Sequence, residues 1–330
     1  MKKKMCAAKR VGGQAVLEGI MMKSGKRACT AVRLSDGDIK TDAREVKSIS
    51  EKIKIFKLPI LRGFVNFIET MIFSMSVLTF SAEAQGIEEE PTRFEKWLEK
   101  HFGKSIMAIA AGIGSVLGVL LAVGLFFYLP MGVTKLIDSF FENPMSDTVK
   151  SIIEGFIKIG IFLAYIALVA LMPDIRRTFE YHGAEHKSIF CHEAGLPLTV
   201  ENVKKQSRFH PRCGTSFMFV MMIIGIVISI CLPNELWNSL WLRMLIKLLI
   251  LPITVGIGYE IIIFAGTHES VVLNILTAPG KWFQRLTTRE PDDKQIECAI
   301  VALKMALPDV YPPETVFDGI ELPEKDASNE

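Results

Sequence analysis

Cysteine is scarce and scattered in this chain. Six residues in 330, Cys6, Cys29, Cys191, Cys213, Cys231 and Cys298, include no CxxC pair, and five fall in segments assigned below to the reducing side. A disulfide framework is excluded. Charge of one sign is lacking too: 38 Lys and Arg against 36 Asp and Glu leave a net charge of +2, and no RNA or DNA motif appears. Nucleic acid is therefore not an expected partner. The opening MKKKMCAAKRVGG is basic but has no apolar stretch behind it, so no cleavable signal is expected. No internal repeat is visible.

Apolar residues are plentiful, at 50% of the chain, and they come in blocks. Ser105–Leu129, Ile152–Met172, Phe217–Leu232 and Trp241–Ala265 are mostly apolar. At 1.5 Å per residue each crosses, or nearly crosses, a ~30 Å hydrocarbon layer. The expectation is a mainly α membrane protein with four transmembrane helices. Phe64–Phe80 is apolar but short, and it carries Asn66 and Glu69; it reads as an in-plane or re-entrant helix.

Basic residues orient these spans. Twenty of the 38 precede Ser105, seven lie between Pro173 and Ser216, and six follow Gly266, whereas Pro130–Ser151 has only Lys135 and Lys150. Cytoplasmic segments carry the Lys/Arg excess, so both termini and the Pro173–Ser216 loop are expected on the cytoplasmic side of a cell membrane. The organisation is then a β-meander over 1–60, in-plane and amphipathic helices over 61–104, and a four-helix membrane domain over 105–265. Its loop 173–216 is cytoplasmic, and 266–330 is a C-terminal helical segment ending in a disordered tail.

Within the first block, Ser24-Gly25 and Asp36-Gly37 punctuate β-rich runs, and Asp-Gly is a strong hairpin signal. A small three-stranded meander is the expectation. Pro173 opens a helix that Gly195 stops, Thr199 caps a short helix through Gln206, and SRFHPRCGTS reads as a loop. APGKWFQRL suggests an interfacial turn anchored by Trp282 and Phe283. Pro291–Leu307 has the apolar spacing of one buried helix face, with Asp292 and Asp293 at its positive end. Within the spans, Glu154 and Lys158 form an i, i+4 pair.

His182-Gly183-Ala184-Glu185-His186 is H-x-x-E-H. Four residues apart on a helix, both imidazoles can close on one ion while the intervening carboxylate reaches a water on it. This spacing matches the inverted zinc-peptidase motif, in which the Glu is general base. A catalytic divalent metal, with zinc as first choice, needs three protein ligands and an open position. His210 is the first candidate for the third ligand, with Cys213, Glu193, Glu18 and Glu260 in reserve. A closed set of His182, His186, His210 and Cys213 would instead be structural.

The blocks GGQAVLEGIMMKS, AVRLSDGDI, FEYHGAEHKSIF, LTVENVKKQSRFHPRCGTSF and PGKWFQRLTTREPDDKQIECAI resemble the signature blocks of the YqhQ-like family. These are bacterial multipass membrane proteins, a domain of unknown function with predicted metal dependence. The resemblance runs from Gly12 to about Ala306. It highlights Gln14 and Glu18; His182, Glu185 and His186; His210, Arg212 and Cys213; and Thr287 to Asp293. It implies no substrate. Arg212 is a candidate for gripping a phosphate or carboxylate with its fork, and "TTREPDD" reads as a helix cap.

Three functions compete at this level. The first is a metal-dependent hydrolase at the inner membrane face, with Glu185 as base and a membrane peptide, lipid ester or phosphoester as substrate. The second is a non-enzymatic scaffold whose metal clamps the β-domain to the bundle. The third, a transporter, rests on Glu260 and on Glu154 with Lys158; the absence of repeats argues against it. The bilayer is the expected partner, and the sequence sets neither oligomeric state nor metal identity.

Overall fold

The computed structural model describes residues 11–49, 53–86, 105–210, 213–232, 240–265, 271–320 and 322. The charged lead-in over 88–104, Arg212 and the tail from 323 lie outside them. Four strands come first: β1 (Val11–Val16), β2 (Gly19–Ser24), β3 (Arg27–Arg33) and β4 (Ile39–Glu45). Ten helices follow among the described residues. They are α1 (Leu61–Ala84), α2 (Ser105–Val123), α3 (Leu129–Asp138), α4 (Asp147–Val169), α5 (Pro173–Glu193), α6 (Val200–Lys204), α7 (Gly214–Ile230), α8 (Leu240–Ala265), α9 (Val271–Thr287) and α10 (Asp293–Ala306).

The strands form one antiparallel sheet in the order β1-β2-β3-β4. It has four strands rather than the expected three, because the first β-rich run folds back at Leu17-Glu18. Glu18 takes a left-handed φ of 49° there. Such turns favour Gly or Asn, so the turn carries no sequence signal.

Alternation sends the two sets of side chains to opposite faces. Ile20, Met22, Cys29 and Ala31 pack with Tyr181, Ala184 and Ile189 of α5 and with Ile296, Ile300 and Leu303 of α10. Val16, Met21, Ala28 and Val32 pack with Phe73, Val77, Leu78, Phe80 and Ala84 of α1. The buried Arg33–Glu297 ion pair and a Cys298 Sγ bond to the Ala31 carbonyl (3.1 Å) lock α10 onto β3. Asp292 caps α10 in a capping box with Gln295, as its position before the apolar repeat suggests.

The chain divides into two compact units: Met1–Gly86, Ala167–Val220 and Val255–Glu330 make one, and Ile87–Ile166 with Met221–Thr254 the other. In the second, a five-residue π turn at Gly124–Tyr128 joins α2 to α3. Pro130 just beyond lacks an N–H for the preceding turn, which accounts for the local widening. The Ser151 hydroxyl bonds the Ser229 carbonyl, and Glu154 pairs with Lys247 of α8 at 2.6 Å. Lys158, expected to pair with Glu154, lies 5.1 Å from the Phe127 ring centroid.

Four helical stretches are long and apolar enough to cross a membrane: Leu61–Ala84, Val116–Asp138, Asp147–Val169 and Leu245–Phe264. The number matches expectation, but the membership differs. The run expected at Phe217–Leu232 is the 17-residue helix Gly214–Ile230, about 25 Å long and at the lower limit for crossing a ~30 Å core. Leu61–Ala84 qualifies because its helix extends well past both ends of the apolar stretch. The segment expected as an interfacial turn lies inside α9, where Phe283 is fully buried and Trp282 is exposed.

Candidate metal centre

The polar helix α5 starts at Pro173, whose fixed φ suits a first helical position. Its middle residues, Tyr181 to Ile189, are almost all buried between the sheet and α10. A helix packed this firmly presents His182 and His186 as neighbours on one face. Their ring centroids lie 4.4 Å apart, edge to face.

Each ring is oriented by a backbone carbonyl. His182 Nδ1 bonds the Thr287 carbonyl at 2.8 Å, and His186 Nδ1 bonds the Arg208 carbonyl at 2.5 Å. With Nδ1 bonded to a carbonyl in both rings, each Nε2 is the ring atom left for a ligand. His182 Nε2 stands 3.2 Å from Cys213 Sγ. His186 Nε2 is buried and has no hydrogen-bond partner, which carries a desolvation cost unless something else satisfies it.

The ligand atoms of His182, His186 and Cys213 all lie within 4.8 Å of one another. Burial pushes the Cys213 thiol up, but the His182 and His186 imidazoles outweigh it and hold the thiol well below its ordinary range. Burial disfavours charge on His182 also, yet the adjacent Cys213 sulfur, Glu185 and the Thr287 carbonyl raise its pKa. A sulfur held as thiolate beside two imidazole nitrogens suits a divalent cation, which takes the place of the ring proton when it binds. Carbonyl-anchored imidazoles are the usual outer support of such a centre. The residues therefore fit a metal.

Glu185 faces the sheet. It is buried and accepts a hydrogen bond from the Gly13 backbone N–H. A Cβ on Gly13 would come within 2.8 Å of the Glu185 side chain, so this close approach needs glycine. Burial raises the carboxyl pKa, with the two imidazoles and the Gly13 N–H opposing.

The other candidates are placed as follows. His210 is buried in the next layer, with its ring 5.6 Å from that of His186 and Nε2 3.6 Å from Glu193. Among the described residues it is outside the three-atom group. Glu18 is held by Arg177 and by the Tyr181 hydroxyl at 3.2 Å, and Glu260 by Arg62 of α1.

Three positioning groups carry no signal in the motif spacing, although Thr287 lies in a block that the resemblance highlights. The Gln284 side chain accepts from the His210 N–H (2.8 Å) and donates to the His210 carbonyl (2.7 Å) and the Ser216 hydroxyl (2.9 Å), tying residues on either side of Cys213 to α9. Gly183 lets the 287–291 loop approach: a Cβ there would stand 2.0 Å from the Arg289 carbonyl oxygen. The Thr287 carbonyl arrives from 105 residues away. H-x-x-E-H gives none of these away.

Fold and site together define a mainly helical protein, with helices suited to contact a bilayer and a His/Cys cluster on a packed polar helix. The chain belongs to the family described as "Protein of unknown function (DUF1385)", which matches residues 58–309. That span includes the whole cluster and begins after the sheet. The chain is 36% identical over 291 residues to "Uncharacterized protein YqhQ" of Bacillus subtilis (strain 168), covering 88% of this chain and 89% of that protein. No solved structure matches.

Proposed function

We propose that this chain is a metal-dependent hydrolase of the cytoplasmic membrane face, multipass and with both termini in the cytoplasm. One observation carries the reading: three ligand atoms, two imidazole and one thiol, converge within 4.8 Å around a buried His186 nitrogen that lacks a hydrogen bond. Two imidazoles and a thiolate suit zinc and leave a fourth position open. A divalent cation bound there supplies Lewis acidity to a substrate oxygen and lowers the pKa of water.

The chain's own residues do the rest. His182, His186 and Cys213 hold the site, and the Thr287 and Arg208 carbonyls fix the ring tautomers. Glu185, the carboxylate between the two ligands in sequence, takes the proton of the attacking water and returns it to the leaving group. Cys213 directly precedes the apolar helix α7, which favours a membrane peptide, a lipid ester or a phosphoester as substrate. The Lys/Arg excess before Ser105 and between Pro173 and Ser216 supports the cytoplasmic orientation.

Glu185→Gln is the test. It keeps the shape and is expected to retain metal while losing turnover in a screen of peptide, ester and phosphoester substrates. Loss of metal with the folded state intact would reject Glu185 as base. A second reading has its own observation: the ligands and their supporting carbonyls come from α5, residues 208–213 and Thr287, so a metal would also clamp separate segments. As a purely structural centre it predicts that removing the metal unfolds this unit and that no substrate is turned over.

A further inference from the structure

Hydropathy counts α1 among the helices able to cross a bilayer, yet its packing argues otherwise. Its second half, from Phe73 to Ala84, covers one whole face of the sheet. The contact is fastened by polar bonds: Ser74 to Gln14, Ser76 to Arg44 and Gln85 to the Arg33 carbonyl. Lys40 and Arg44 of β4 lie over the Phe80 ring at 5.6 and 5.9 Å.

Were α1 to span, it would carry this sheet into the hydrocarbon. An open sheet has edges whose backbone groups find no partner there. Each of Lys40, Asp42 and Arg44 would add roughly 2.5–3.5 kcal/mol at the bilayer centre. No apolar gain along one helix offsets that.

The opposite side of α1 is apolar and uncovered. Ile68, Ile72 and Met75 form an i, i+4, i+7 stripe with Met71 beside it, all exposed, and Ile55, Leu58 and Leu61 continue it toward the N-terminus. The charges over residues 53–62 are all basic, and Lys54 and Lys57 are the two beside the stripe that remain once Arg62 is taken up by Glu260. An apolar stripe flanked by cations complements an anionic leaflet. The same chain carries further helices of membrane-crossing length, so a bilayer is a surface available to it.

We propose that α1 lies in the plane of the inner leaflet, its Ile68–Ile72–Met75 stripe among the acyl chains and the sheet clamped to its other side. The inference rests on the cytoplasmic membrane reading above. It makes the sheet, and with it the Gly13–Glu185 contact, part of a body pinned against the membrane surface.

Cysteines placed singly at Lys57 and Glu83 of the full chain in membranes test it. Labelling by an impermeant maleimide is scored above that of the parent protein, in inside-out vesicles and in spheroplasts. Both ends of α1 are expected to label from the cytoplasmic side alone, and labelling of the two ends from opposite sides would overturn the inference. A nitroxide at Ile72 is expected to meet oxygen but not a water-soluble nickel reagent. Protection from both would mean that a protein covers the stripe, and exposure to nickel would mean that water does; either overturns it. Release of the chain by carbonate would instead defeat the membrane reading itself.

Discussion

Gly183→Ala isolates the coupling between backbone packing and the candidate metal centre. A methyl at this position would sit 2.0 Å from the Arg289 carbonyl oxygen, far inside contact distance, and a backbone atom cannot swing aside. The 287–291 loop must withdraw from α5, loosening the Arg289 N–H bond to the Phe179 carbonyl and the Thr287 carbonyl bond to His182. Alanine gains about 1 kcal/mol over glycine in a helix. Overpacking costs about 1–3 kcal/mol, and a stranded imidazole donor adds about 1–3 kcal/mol. The losses win, for a net destabilisation of about 3 kcal/mol. Because His182 loses its orienting partner, metal affinity should fall by about 10–100-fold. Competition with a chromophoric chelator and a thermal melt, both on detergent-purified protein, read the two effects. Unchanged affinity and melting would refute the proposed link between the 287–291 loop and the site.

Other substitutions probe the supports around it. Gln284→Leu strands both backbone groups of His210 and should cost roughly 2–4 kcal/mol, measured by denaturation, with a parallel loss of metal. Glu297→Ala leaves Arg33 buried without its counter-charge and should cost about 3–5 kcal/mol, while the double change to Arg33→Met and Glu297→Leu should recover most of it. Burial pushes the Cys298 thiol up to about 12. Above pH 9 the unfolded chain loses a proton that the folded chain keeps, so stability present below 9 drains away between 9 and 12. The slope should be about 1.4 kcal/mol per pH unit, and shallower in Cys298→Ala.

Much of this was legible in the sequence, for reasons specific to each element. The H-x-x-E-H spacing fixes which side chains share a helix face, and Asp292 with Gln295 announces the start of α10. The turn at Leu17-Glu18 was invisible because a glutamate holds the left-handed position. Apolar content marked α7 as a span, but only the helix ends show it to be short. The Glu154–Lys247 pair was invisible, since a partner 93 residues away leaves no mark in local spacing. For the same reason, sequence could rank His210 and Cys213 as ligands but could not measure them. The approach of Cys213 to His182 depends on Gln284, which holds His210 and Ser216 on either side of it.

The most direct test of the central claim is metal content. Elemental analysis of purified protein should find one divalent ion per chain, and none in a His182→Ala/His186→Ala variant of equal folded yield. Equal metal in the two proteins would contradict the account.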